Sequence, residues 1–125
     1  MMDSLILCKF FRGVFREPFE EWAALLSVVT GWEADGAELR CTARRIVLAK
    51  RVFNIREGWR PEDDWLPERL LSEPVQLGSG RVATLTPQRL RGMIDSYYAA
   101  RGLDGHGRPD PADLAGLRLD HVATR

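Results

Sequence analysis

The side chains that could carry out chemistry are few and lie far apart along the 125 residues. Two cysteines, Cys8 and Cys41, cannot build a disulfide framework, so we expect a reducing, cytoplasmic compartment. Two histidines, His106 and His121, have no second ligand at a usable spacing, so neither is expected to bind a metal or to act as an acid or base. Spacing alone therefore predicts no metal centre and no catalytic dyad.

Two residue pairs are open to more than one interpretation. Asp63 and Asp64 could bind a cation, cap a helix or, most simply, form a solvated turn. The pair Tyr97 and Tyr98 is more typical of one core and one surface residue than of two proton donors. A Gly-Ser-Gly stretch at residues 78–80 lacks the Lys-Ser/Thr and the following helix of a phosphate loop.

Composition excludes several classes of protein. The formal net charge of +0 gives no electrostatic attraction to nucleic acid, and no apolar run approaches the length that crosses a bilayer. We therefore expect neither a nucleic-acid nor a membrane partner. With 45% hydrophobic and 29% charged residues, the chain is predicted to fold as a single domain over residues 1–125.

The first 30 residues are predicted to form an apolar segment followed by a helix. Pro18 suits the first position of a helix that runs to about Val29. The apolar start either packs against another domain or is buried under the chain's own helices. The order Leu-Ile-Leu-Cys before residue 9 also hints at acylation of Cys8, although Leu7 is bulky where a lipoprotein signal needs a small residue.

The longest helix is predicted to begin after Asp35, which forms a capping box with Glu38, and to continue to about Glu57. Arg51 is placed on the far side of this helix, and Cys41 is interpreted as a small packing residue. The face that packs is predicted to comprise Leu39, Ala43, Ile46, Val47, Lys50, Phe53 and Asn54.

The second half is predicted to hold a loop over residues 59–74, anchored by Trp59 and Trp65, and then a hairpin over residues 75–85. Further helices are expected after Thr86 and after Asp110, before an unpatterned tail over residues 121–125. The helix after Thr86 is predicted to turn inward Leu90, Met93, Ile94, Tyr97 and Tyr98. The fold class is therefore mainly α, an irregular helical domain with one small β-hairpin.

Several short motifs follow one another in an order that is specific, although each motif alone is weak. At the start, Asp3-Ser-Leu-Ile-Leu7-Cys8 matches the pattern Asp-x-x-Gly-Leu-Cys with Ile6 in place of Gly. The others include Arg51-Val-Phe53-Asn54-Ile-Arg56-Glu57-Gly58, Asp63-Asp64-Trp-Leu66-Pro67 and Tyr97-Tyr98-Ala-Ala-Arg101-Gly102. Together they resemble the C-terminal domain of the aldehyde ferredoxin oxidoreductase family, which are tungsten-pterin, iron–sulfur enzymes.

This resemblance implies roles for three residues of the first motif. Asp3 would accept hydrogen bonds from a pterin of the tungsten cofactor, and Leu7 would lie beside that cofactor. Cys8 would be the fourth thiolate of a [4Fe–4S] cluster, a cofactor that proteins hold through cysteine thiolates. Ile6 replaces a glycine, a residue that permits close backbone approach.

The resemblance further implies that the chain is part of an oxidoreductase that converts an aldehyde and water to a carboxylic acid. Its partners would be the remaining domains or subunit and, as electron acceptor, ferredoxin. The other three cluster ligands of the family lie in a cysteine-rich motif that these residues lack, so the isolated chain is expected to hold neither the [4Fe–4S] cluster nor the tungstopterin (bis-molybdopterin). The alternative is a non-catalytic helical interaction module or a decayed fragment. The motifs do not distinguish one aldehyde substrate from another, or tungsten from molybdenum as the metal.

Overall fold

The computed structural model describes residues 1–123. It is mainly helical with a two-stranded antiparallel sheet, as the sequence predicts. The helices are α1 (Pro18–Thr30), α2 (Gly36–Arg56), α3 (Arg69–Ser72), α4 (Pro87–Arg101), α5 (Pro111–Gly116) and α6 (Asp120–Ala123), and the strands are β1 (Val75–Gln76) and β2 (Val82–Ala83). Three stretches form single 3-10 turns: Met2–Leu5, Lys9–Gly13 and Pro61–Asp64.

Helix boundaries follow the capping residues closely. At the start of α2, the Asp35 carboxylate accepts a hydrogen bond of 2.7 Å from the backbone N–H of Glu38. At the start of α4, the Thr86 hydroxyl accepts one of 3.2 Å from the N–H of Arg89. Helix α4 ends at Gly102, whose φ of 69° is the left-handed conformation that glycine adopts without strain. These caps confirm the predicted starts of both helices.

Two segments are more regular than the sequence predicts. The predicted loop at 59–74 contains the 3-10 turn Pro61–Asp64 and the short helix α3. The expected tail begins inside α6, while residues 124–125 lie outside the described residues. Both helices are a single turn long, which is too short for apolar periodicity to reveal.

The predicted packing face of α2 is wrong in its second half. Lys50, Phe53 and Asn54 are exposed, whereas Leu48 and Val52 are buried. Leu39 is also buried, and it precedes Leu48 by about two and a half helical turns, so the two side chains leave the helix on opposite sides. One stripe cannot describe a helix that buries different sides at its two ends.

The chain divides into two compact units, Met1–Ala49 (the N-terminal unit) and the residues from Lys50 onward (the C-terminal unit). The core of the N-terminal unit consists of Trp22, Ala23 and Leu39. Around it pack the partly buried side chains of Met1, Met2, Leu5, Leu7, Phe15, Phe19 and Leu26. Phe15 meets Trp22 edge-on, with 6.0 Å between ring centroids.

The apolar start of the chain is thus divided between two environments. Leu5 and Leu7 pack against the unit's own core, whereas Phe10, Phe11 and Val14 are exposed. Burial under the chain's own helices therefore accounts for Leu5 and Leu7 but not for the exposed residues that follow them. Cys41 is exposed as well, so its interpretation as a packing residue is wrong, because it lies on a side of α2 that no part of the described chain covers.

The buried apolar side chains of the C-terminal unit come from α2, α4 and the region of α5: Val52, Leu90, Tyr98, Leu114, Leu117 and Leu119. The predicted inward stripe of α4 is only partly right, because Met93 and Tyr97 are exposed at 56% and 46%. Tyr97 and Tyr98 form one surface and one core residue, as expected. Among the described residues, no helix is long and apolar enough to cross a membrane.

Candidate functional site

The predicted cofactor-binding motif forms a tight turn at the start of the N-terminal unit. Asp3 lies in the first 3-10 turn with its side chain exposed, and Leu7 is half-buried against the unit's core. Cys8 follows directly and is exposed as a free thiol. The backbone N–H of Leu7 donates to the carbonyl of Met2 at 3.0 Å, which closes the turn that joins these residues.

Ile6 occupies the left-handed conformation in this turn, with φ 56° and ψ 31°. A β-branched residue is strained there, because its Cβ crowds the following carbonyl oxygen. Its side chain is 93% exposed and gains almost no burial in return. The backbone at this position therefore has the conformation that glycine adopts most readily, and glycine is the residue of the motif that Ile6 replaces.

A second cluster of polar residues lies in the C-terminal unit and was missed from the sequence. The Arg51 guanidinium pairs with the Asp64 carboxylate, with 3.0 Å between Nη2 and Oδ2. The hydroxyl of Tyr98 donates to the same Oδ2 at 2.7 Å and accepts from Arg51 Nη2 at 3.2 Å. The two charged side chains are 12% and 27% exposed, so this is a largely buried ion pair.

Two further groups complete this cluster, which we call the Arg51 network. The Trp59 indole N–H donates to Asp64 at 3.2 Å, while the Arg51 guanidinium stacks 3.3 Å from the centroid of the Trp59 ring. Arg51 Nε donates to the carbonyl of Gly107 at 2.8 Å. A Cβ on Gly107 would collide with Arg51 and would lie 2.7 Å from Cζ of Tyr98, so only glycine fits.

The electrostatics of the Arg51 network fix the protonation state of both acids. Burial by itself would raise the pKa of Asp64, but hydrogen bonds from Arg51, Tyr98 and Trp59 and the charge of Arg51 outweigh it, and this pKa lies below its ordinary value. Burial and the hydrogen bond to Asp64 raise the pKa of Tyr98. At neutral pH the carboxylate is charged and the phenol is neutral, so neither is poised for proton transfer.

The interpretation of the acidic pair as a solvated turn is wrong for Asp64, whereas Asp63 is exposed in a turn. Asp64 is half-buried in the Arg51 network, and Asp63 caps the 3-10 turn by accepting 2.7 Å from the N–H of Arg60. Of the interpretations given for this pair, capping of a helical turn is therefore the one that the structure shows for Asp63. The sequence places Arg51 on the far side of α2 from its packing face, because the periodicity of the helix does not show that this side chain joins residues far along the chain.

The chain matches the family described as aldehyde ferredoxin oxidoreductase, domains 2 and 3, over residues 1–119. It belongs to this family. It is 33% identical over 109 residues to the tungsten-containing aldehyde ferredoxin oxidoreductase of Pyrococcus furiosus and 31% identical over 121 residues to that of Pyrococcus abyssi. These matches cover 86% and 96% of this chain but only 17% and 19% of the two relatives.

A solved structure shows the same fold within a larger chain. The active-site complex BamBC of benzoyl coenzyme A reductase, in complex with 1,5-dienoyl-CoA, matches with a TM-score of 0.65 and 26% identity. The match covers 84% of this chain and 14% of the BamBC chain. In the curated relatives and in this structure, the residues of the family that correspond to this chain are a minor part of a much longer polypeptide.

The side chains of the described residues do not assemble a complete metal site by themselves. Within residues 1–123 there is no group of three or more His, Cys, Asp and Glu side chains that could hold a metal ion. Cys8 and Cys41 are both exposed, and so are His106 and His121. A [4Fe–4S] cluster needs four ligands, so if the exposed thiol of Cys8 were one of them, the others would have to come from elsewhere.

Proposed function

We propose that this chain serves as the C-terminal portion of an aldehyde:ferredoxin oxidoreductase and contributes Cys8 to its [4Fe–4S] cluster. The observation that carries the proposal is the exposed thiol of Cys8 within the stretch that matches the family. Asp3 and Leu7 lie on the same turn and are proposed to lie beside the tungstopterin. The chain spans about a fifth of the length of its relatives, so the complete activity requires the rest of the protein.

The chemistry supplied by bound tungstopterin and cluster would be the two-electron oxidation of an aldehyde with water to a carboxylic acid, with ferredoxin as the acceptor. In that setting the Cys8 thiolate would bind iron. The exposed Asp3 carboxylate would accept hydrogen bonds from pterin N–H groups. The half-buried Leu7 would keep water away from the cluster, which influences its reduction potential.

The second candidate function is a non-catalytic interaction module or a decayed fragment. It is favoured by the Arg51 network, in which the polar groups satisfy one another. This alternative gives Cys8 no ligand role and predicts a small buried residue there, whereas the thiol is exposed.

The two cysteines provide a matched test of the proposal. We would express the tagged chain in its own host, purify it without oxygen, and measure iron and tungsten per chain together with the polypeptides that accompany it. Cys8→Ser is expected to lower the iron content several-fold, whereas Cys41→Ser, which alters an equally exposed thiol, leaves it unchanged. Equal iron in both variants, or a metal-free wild type, would favour the non-catalytic alternative.

A further inference from the structure

The N-terminal unit exposes an unusual number of large apolar side chains. On α1, Val28 and Val29 are exposed at 85% and 81%, and Leu25 is also open to solvent. Trp32, just after this helix, is 69% exposed. Isolated exposed apolar residues are common, whereas several close together on one helix are typical of an interaction surface.

Leu25 and Val29 line a groove between α1 and the turn that carries the predicted cofactor motif, and Val28 precedes Val29 on the same helix. The groove has a volume of about 310 Å³. Its lining contains no charged side chain and consists mainly of Leu5, Ile6, Leu7, Trp22, Leu26 and Val29. The indole N–H of Trp22 is buried and makes no hydrogen bond within the described chain. We call the groove, together with Leu25, Val28 and Val29, the α1 face.

We infer that the α1 face is the surface on which the remaining portion of an aldehyde ferredoxin oxidoreductase docks. This inference rests on the proposed function, because it takes the missing portion of the family's protein as the partner. The curated relatives carry more than four-fifths of their length outside the matched stretch, so an occupant of sufficient size exists in the family. The lining carries no charged side chain and is mainly apolar, with Ser4 and Thr30 as its hydroxyl-bearing residues, so it fits an apolar protein surface better than a charged ligand.

The α1 face is also continuous with the proposed cluster ligand. Ile6 and Leu7 line the groove, and Cys8 is the next residue along the chain. A partner that covers the groove would therefore place its own residues beside the exposed thiol of Cys8. Docking on this face would bring the other cluster ligands near Cys8 and remove water from the same region.

Chemical accessibility tests the inference in the protein as its host makes it. Val28→Cys and Val29→Cys would be introduced one at a time, with Ala100→Cys on an exposed position of α4 as the control. Alkylation rates would be read peptide by peptide by mass spectrometry and compared with those of the 125-residue chain produced alone. We expect labelling at positions 28 and 29 to slow by at least about tenfold in the host preparation, with an aldehyde ferredoxin oxidoreductase polypeptide identified alongside, and no slowing at position 100.

Three results would overturn the inference: undiminished labelling at both positions, protection in a preparation that contains only copies of this chain, or protection that appears only when lipid vesicles are added. A charged pair, Val28→Glu with Val29→Glu, gives a second readout, because it should release the partner while Ala100→Glu does not. Cys8→Ser separates the two proposals. If positions 28 and 29 are protected from alkylation but Cys8→Ser leaves the iron content unchanged, the ligand role is rejected and the docking surface is kept. If Cys8→Ser lowers the iron content but neither position is protected, the docking surface alone is rejected.

Discussion

The Arg51 network and the exposed valines of α1 lie in different units of the molecule. In the C-terminal unit, a buried arginine, a carboxylate, a phenol and an indole satisfy one another within a single cluster. In the N-terminal unit, the ion pair between Arg40 and Glu20 lies on the surface, with side chains 54% and 57% exposed, and valines of α1 face solvent.

The difference separates what stabilises the fold from what awaits a partner. A largely buried ion pair whose groups hydrogen-bond to one another stabilises its own unit, whereas breaking it leaves a charge in a poorly solvated place. An exposed apolar helix face contributes stabilising free energy only when another surface covers it. We therefore expect substitutions in the Arg51 network to change folding stability, and substitutions on the α1 face to change association.

The largest effect is expected from removing the cation of the Arg51 network. Arg51→Met leaves the Asp64 carboxylate without its charged partner and should lower the free energy of unfolding by about 3 kcal/mol. Urea denaturation, followed by circular dichroism, measures the change. Arg69→Met is the matched control, because the side chains of Arg69 and its partner Glu73 are 79% and 61% exposed. Losing this pair should lower the free energy of unfolding by less than about 0.5 kcal/mol. Equal losses in the two variants would show that burial of the pair contributes nothing.

A smaller loss of folding stability is expected from adding one methyl group to the Arg51 network. Gly107→Ala combines a φ of 69° with a collision against Arg51 and should cost about 2 kcal/mol. Gly80→Ala has a similar φ of 75° but open space around it, so it reports the backbone strain alone, about 1 kcal/mol. The same denaturation measurement compares them. If both variants lose the same amount, the Gly107 backbone does not need to approach Arg51 so closely.

The smallest change in folding stability is expected in the N-terminal unit, and it is an increase rather than a loss. Ile6→Gly relieves the left-handed strain and sacrifices almost no burial, so it should raise stability by about 0.5 kcal/mol after the added entropy of the unfolded chain. Thermal unfolding of the isolated chain measures it, and Ser4→Gly in the preceding 3-10 turn serves as the control. A loss of stability for Ile6→Gly would show that the isoleucine side chain contributes more than its exposure suggests.

Local signals in the sequence predict much of this fold. Thr86 and Pro87 fix the start of α4, and Gly102 fixes its end, because each acts through the backbone of its immediate neighbours. The left-handed conformation at Ile6 is not among the predictions, although the family's motif has at this position a glycine, which adopts that conformation readily.

The Arg51 network could not be found in the same way. Its members come from α2, the link at Trp59, the Pro61–Asp64 turn, α4 and the turn before α5, and no periodicity connects them. The exposure of Met93 and Cys41 has a related cause, because a helical pattern shows which residues share a side and not which side is covered. The roles of Asp3, Leu7 and Cys8 depend on groups from outside the described chain and stay predictions.

The hydrogen bond between Arg51 and Gly107 joins residues 56 positions apart. Closing a loop of that length costs on the order of 3 to 4 kcal/mol of chain entropy before any contact compensates for it. The network should therefore assemble late, after the helices and the turn around Gly107 have formed by local contacts. Interactions that are absent from the transition state slow unfolding without speeding folding. The Arg51 network would thus lengthen the lifetime of the folded C-terminal unit rather than hasten its formation.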